Sequence, residues 1–253
     1  MAALIEIINY TNKTLKSDKF TDVSVNGLQI EGTAEVSKIA ACVDAAMSTA
    51  VLATKAKADL LIAHHGIFWS KAIPVIDAHK NLLQHFLKHQ LSLAAYHLPL
   101  DAHEVYGNNF LLADLLELTQ RTKFLEYGGQ AIGCIAENTQ NHSLDTMKKK
   151  LCTLPGASDA MQALAFGPAH PQKVAIISGS GTDALYEHAL AGFDTLVTGE
   201  AKQFAYHFAR DNKLNVIFAG HYATETIGIN ALVKHLADKF KTEWCFIDHP
   251  TGI

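Results

Sequence analysis

The chain has 253 residues, of which 49% are hydrophobic and 18% charged, so it is neither a disordered chain nor a charged coiled coil. Lys and Arg total 21 against 25 Asp and Glu, a net charge of −4 with no excess for a general grip on nucleic acid. Its unusual feature is 14 histidines beside only 4 cysteines, and none of Cys42, Cys134, Cys152 and Cys245 forms a CxxC pair, which disfavours zinc fingers and thioredoxin-type motifs.

Residues 2 to 16 carry Leu4, Ile7, Ile8 and Leu15 at helical spacing. This segment lacks a basic n-region and includes Glu6, so it does not read as a signal peptide. No window holds about 18 uninterrupted apolar residues, so no membrane span is expected and the expected location is cytoplasmic. Residues 21–32 read as extended chain around an Asn26-Gly27 turn, 38–44 as a strand and 45–57 as a helix. A strand over 58–65 runs out into His64-His65, and a helix over 77–90 leads to a strand over 91–97. A leucine-rich helix follows over 108–118.

After Gly128-Gly129 the pattern resets. Strands are expected over 130–138, 162–167, 173–181, 194–200, 214–220 and 243–249. Helices are expected over 143–152, from 182 to about 192, over 201–211 and over 222–239. Strands separated by helices imply an α/β fold with mainly parallel sheets. The double glycine suggests two α/β domains, 1–126 and 127–253, with the terminal strand free to return to the first sheet.

In open parallel sheets, ligands gather beyond the carboxyl ends of strands. His64-His65-Gly66 ends one strand; it is either a ligand pair turned inward at Gly66, or one buried and one exposed histidine. His97 and Asp101 follow the next, with Pro99 stiffening the loop and Asp101 either a ligand or a cap. Glu200 follows Thr198-Gly199, as a supporting acid, a general base or a helix-start charge. His221 and Glu225 are four apart, so on a helix they share a face that suits a divalent ion or an ordinary surface pair. The Asn26-Gly27-Leu28-Gln29 turn either faces a pocket or is only a turn.

Histidines and carboxylates without cysteine suit zinc, iron, manganese or magnesium. Three histidines and two carboxylates exceed what one closed tetrahedral zinc with an exchangeable water would need, and they fit two ions.

Five segments carry a resemblance across the chain: DVSVNGLQIEG (22–32), ADLLIAHHGIFW (58–69), YHLPLD (96–101), TGE (198–200) and GHYATE (220–225). Together they resemble the GTP cyclohydrolase 1 type 2-like family, also described as NGG-interacting-factor-three-like or dinuclear metal centre hexameric proteins, in its short bacterial form. The resemblance implies two related α/β domains and a toroidal homohexamer with metal sites at strand C-terminal ends, facing an internal cavity. It implies two divalent ions per chain held by His64, His65, Asp101, His221 and Glu225. His97 would then be a near-site residue, and with Glu200 a candidate for proton transfer, while His207 also falls in a family-like position without being a ligand.

The implied activity is that of a metal-dependent hydrolase acting on a small molecule, GTP by the family name. No GxxxxGK[ST] loop is present, and SGSGTD (178–183) is either an anion-binding helix start or a tight strand-to-helix turn. The rival expectation is a non-catalytic metal-binding or regulatory ring; a DNA-engaging ring finds no support in the net charge.

Overall fold

A computed structural model describes residues 1–252. They divide into two compact units, Met1–Leu100 with Gly228–His249, and Asp101–Ile227 with 250–252.

In the first unit, β1 (Ala2–Ala3) pairs with β3 (Glu35–Val36) and so delays the expected first helix, α1 (Leu4–Leu15). That helix buries Leu4, Ile7, Ile8, Thr11 and Leu15 and ends where Lys16 turns left-handed at φ 52°. The main sheet is built from β2 (Gly27–Ile30), β4 (Lys38–Asp44), β5 (Leu60–His65) and β6 (Ser92–Ala95), joined by α2 (Met47–Lys55) and α3 (Asp77–Lys88). Residues 39–43 of β4 are all buried, as are 60–64 of β5. Such unbroken apolar runs belong to strands covered on both faces. The strands β4, β5 and β6 are parallel, and β2 closes one edge antiparallel to β6. The short α4 (Leu98–Asp101) begins directly after His97.

The second unit carries α5 (Asn108–Leu115), the hairpin β7 (Thr119–Tyr127) and β8 (Gln130–Glu137), and α6 (Leu144–Leu151), whose N-cap Ser143 accepts the Thr146 amide. After β9 (Gln162–Ala165) come β10 (Lys173–Ile177), a 3₁₀ turn over Thr182–Glu187, α7 (His188–Ala191), β11 (Thr195–Thr198), α8 (Phe204–Asn212) and β12 (Asn215–Phe218). The sheet order is β7-β8-β10-β11-β12-β9. Its centre, β10-β11-β12, is parallel, and both flanks are antiparallel. Alternation along β10 supplies both faces: Val174 and Ile176 pack with Met147 and Leu112, while Ala175 and Ile177 pack with Leu185 and Leu196.

The long α9 (His221–Phe240) follows β12, and β13 (Glu243–Phe246) returns to the first sheet, parallel to β4. Gly128 and Gly129, read in the sequence as a domain boundary at 126/127, are instead the two-residue turn between β7 and β8. Both have positive φ, 58° and 83°, the requirement of a tight hairpin turn. The units divide at 100/101, 227/228 and 249/250. Among the described residues no helix is long and apolar enough to cross a membrane.

Candidate metal centre

In the first unit, three histidine side chains meet beyond the carboxyl ends of β5 and β6. His64, His65 and His97 each offer a ring nitrogen within 4.8 Å of the others. Their ring centroids lie 4.7, 5.2 and 5.5 Å apart. Neighbours in a strand face opposite ways, so His64 and His65 can meet only where β5 ends. Gly66 makes room there, but by its size rather than by a left-handed turn. A Cβ at Gly66 would stand 2.3 Å from Gln29 Nε2 and 2.6 Å from Ala95 Cβ. Gln29, in turn, accepts the Ile67 amide at 2.8 Å.

Each imidazole is held by its Nδ1. His64, fully buried, donates Nδ1–H to the Tyr96 carbonyl at 2.9 Å. His65 donates to Asp44 Oδ1 at 2.8 Å, and Asp44 is its register partner across β4 and β5. His97 donates to Asp22 Oδ1 at 2.9 Å. Because every acceptor is an oxygen without a proton, Nδ1 carries the hydrogen and Nε2 presents a lone pair. This is the arrangement by which outer carboxylates and carbonyls orient metal-ligating histidines.

Asp22 is the hub of the 22–29 segment. Its side chain is 2% exposed, and it accepts from the Ser24 amide, Asn26 Nδ2 and the Leu98 amide as well as from His97. Asn26 Oδ1 closes the ring by accepting the His97 amide at 2.8 Å. Burial alone would raise the Asp22 pKa, but the His97 bond and charge, with Asn26 and Ser24, outweigh it and hold the group at about 2. The Asn26-Gly27 turn is therefore the support for His97. Trp69 borders the cluster, its ring centroid 5.5 Å from that of His97 and 5.9 Å from that of His65.

In the second unit, His221 and Glu225 occupy the start of α9, one turn apart. His221 Nε2 lies 3.0 Å from Glu225 Oε1, and its Nδ1 lies 2.5 Å from Glu200 Oε1. Glu225 is 3% exposed. Burial would lower the His221 pKa, but bonds and charge from Glu225 and then Glu200 prevail and raise it to about 9. The Glu200 carboxyl is lowered, chiefly by the His221 hydrogen bond. With both nitrogens protonated at neutral pH, the Nε2 proton lies between two atoms that would each ligate a divalent ion.

Glycine 179 lets this pair approach the backbone. It has φ +61°, and a Cβ there would fall 2.4 Å from Glu225 Oε1 and 3.0 Å from His221 Nε2. Its carbonyl accepts the Gly199 and Glu200 amides at 2.9 and 3.0 Å, and its amide donates to Thr224 Oγ1 at 3.0 Å. These bonds make the SGSGTD segment a tight turn that braces Glu200 and α9.

Asp101 is 7% exposed, and its Oδ1 accepts from Asn108 Nδ2 at 2.7 Å and Ser178 Oγ at 2.9 Å. Asn109 then accepts the Ser178 amide at 2.7 Å. Asp101 is thus neither a solvated carboxylate nor a helix cap. His207 is exposed on α8 with its ring against Tyr206.

Sequence reasoning did not single out Asp22, Asp44, Asn108, Asn109 and Ser178 as the supports they are. Asp44 ends β4 as His65 ends β5, so the strand-end rule already contained it.

The fold and these side chains define an α/β protein with histidine–carboxylate clusters that could hold a metal. A family model, Duf34/NIF3 (NGG1p interacting factor 3), matches residues 2–252, and the chain belongs to that family. Relatives named GTP cyclohydrolase 1 type 2 homolog include one from Pyrococcus horikoshii, 40% identical over 98% of both chains. Another, from Deinococcus radiodurans, is 36% identical over 98% of this chain and 94% of its own. A crystal structure from Thermus thermophilus matches with a TM-score of 0.89 and 38% identity over the whole of both chains.

Proposed function

We propose that this protein binds two divalent metal ions through His64, His65, Asp101, His221 and Glu225, and hydrolyses a small molecule with them. One observation carries the reading. His64, His65 and His221 each have Nδ1 committed to an oxygen acceptor, so the nitrogen offered for ligation is Nε2 in every case. The donor set, imidazole and carboxylate without thiolate, fits zinc, iron, manganese or magnesium.

Bound ions would supply Lewis-acid polarisation of the substrate and activation of water at neutral pH. The chain's own groups do the rest. Asp44, Glu200 and the Tyr96 carbonyl keep the ligating rings in one tautomer. Asn108 and Ser178 aim Asp101. His97, braced by Asp22, accepts or returns a proton through Nε2 as the substrate reacts. Glu200, on the far nitrogen of His221, stabilises positive charge on that ring. The toroidal homohexamer implied by the family resemblance and the cytoplasmic location expected from the sequence are part of this reading.

The test is metal analysis of tag-free protein, then turnover of GTP, phosphodiesters and amides with metal removed and restored. Two ions per chain and metal-dependent turnover are expected. Two ions without turnover across the panel would favour a non-catalytic metal-binding ring, and a His64→Ala, His221→Ala double variant that retained both ions would overturn the ligand set. Sedimentation velocity reads the assembly state in the same samples.

A further inference from the structure

The second unit holds a cavity of about 500 Å³, within the range of small-molecule sites. It lies at the carboxyl ends of β11 and β12 and reaches β9 at Gln162. Its walls include Met161, Phe218, Tyr222 and Ala223, an apolar body in contact with backbone at Gly199 and Gly220. Neither His221 nor Glu225 lines it, but Glu200 does. Glu200 therefore stands between the cavity and the His221 ring, which it meets through Oε1.

The charge pattern of this lining is one-sided. Among the described residues Glu200 is the only charged one in the lining, which includes no Lys, Arg or His. A phosphate or carboxylate entering would meet the Glu200 carboxylate, while the cation paired with it, the His221 ring, does not line the cavity. A cation, or an edge rich in N–H donors, would gain a charge-assisted hydrogen bond in a partly apolar surrounding. Ser158 and Gln162 add neutral polar groups that tolerate donors.

Gly156 helps to shape the chamber. Its φ is +70°, and a Cβ there would stand 2.6 Å from the Tyr222 ring. The 156–162 segment can therefore lie close over Tyr222 while Met161 lines the cavity.

We propose that this cavity is a second small-molecule site, separate from the proposed metal ligands, for compounds with a flat apolar body and an amidine, amine or amino-heterocycle edge that bonds Glu200. It does not depend on bound metal or on hydrolysis.

The chain has four methionines, at positions 1, 47, 147 and 161, and only Met161 lines the cavity. Methyl-¹³C methionine NMR therefore gives a local reporter, assigned with a Met161→Leu variant, with Met47 and the fully buried Met147 as controls. The probes are benzamidine, benzamide and benzoate, titrated into the full chain with and without zinc. Benzamidine should shift the Met161 signal in a saturable way while leaving Met47 and Met147 in place. Benzoate should need at least tenfold higher concentration. Glu200→Gln should weaken benzamidine about tenfold and erase its advantage over benzamide, with an unmoved Met147 signal reporting an intact fold. A Met161 signal unmoved by benzamidine would overturn the site. Equal shifts by benzamidine and benzoate, or unchanged benzamidine affinity in Glu200→Gln, would overturn the ligand class. None of these outcomes bears on whether the protein binds two ions or turns over a substrate.

Discussion

His65 and Asp44 are register partners on adjacent parallel strands, and the imidazole Nδ1 lies 2.8 Å from the carboxylate Oδ1. The backbone ladder itself thus sets the orientation of a proposed ligand. Removing the acid should leave the strands paired and the ring free to rotate.

Asp44→Ala is expected to cost 10- to 100-fold in affinity for zinc or manganese, the usual effect of losing an outer partner of a ligating histidine. The Asp44 side chain is 38% exposed, so stability should change by less than about 1 kcal/mol. Calorimetric titration of metal-stripped protein, paired with urea unfolding, separates the two. An affinity within twofold of the parent would remove Asp44 from the site.

Asp22 makes the opposite case, because its carboxylate is buried under four donors. Its pKa falls from 3.8 to about 2, so its contribution is present above pH 3.8 and is lost as pH drops through 2. The window corresponds to about 2 kcal/mol. Asp22→Ala should destabilise by about 2–4 kcal/mol, since buried amides at Ser24 and Leu98 lose their acceptor. Urea unfolding at pH 7 and pH 2 reads both numbers. The parent should lose this increment on acidification, and the variant should not.

His221 titrates on the alkaline side in the metal-free chain, at about 9. A raised histidine pKa stabilises the folded form fully below the unfolded value of 6.5, and that contribution is lost as pH rises through 9. Ion binding must displace the Nε2 proton, so metal uptake at pH 7 should release a proton and tighten as pH rises towards 9. NMR titration of the His221 ring, with zinc titrations in two buffers of different ionisation enthalpy, checks both. A ring pKa near 6.5 would refute the paired-carboxylate account.

Gly179→Ala should be damaging out of proportion to one methyl group. The new Cβ would meet Glu225 Oε1 at 2.4 Å on a backbone with φ +61°. A loss of about 1–3 kcal/mol is expected from the strained backbone. Metal content should fall with it, because Glu225 and His221 must move. Gly192→Ala, with a similar φ of +70° and only the Lys173 Nζ at 4.0 Å, is the control for backbone strain alone. It should lose stability and keep its metal.

Much of the candidate site could be read because its residues end apolar runs. Leu60–Ala63 is unmistakable as a strand, so His64 and His65 stand out after it. His221 and Glu225 declare themselves by helical spacing. Asp22 and Ser178 were hidden because their roles depend on long-range partners, 75 residues away for Asp22 and His97 and 77 for Ser178 and Asp101. Strand β7 was hidden for a different reason. Its sequence, TQRTKFLEY, is exposed at seven of nine positions, so it carries no apolar signature and forms through pairing with β8. Without β7 in view, Gly128-Gly129 lost its strand on one side and read as a boundary.

The anchoring of the imidazoles through Nδ1 has a consequence for how an ion would come and go. Every ring is already oriented by an oxygen of the protein, in strands and loops whose cores are filled. Metal is then a guest in a furnished room, unlike in the small zinc domains that collapse without it. Chelators should strip such a protein without unfolding it, and the resident ion should follow whichever divalent metal the surroundings supply.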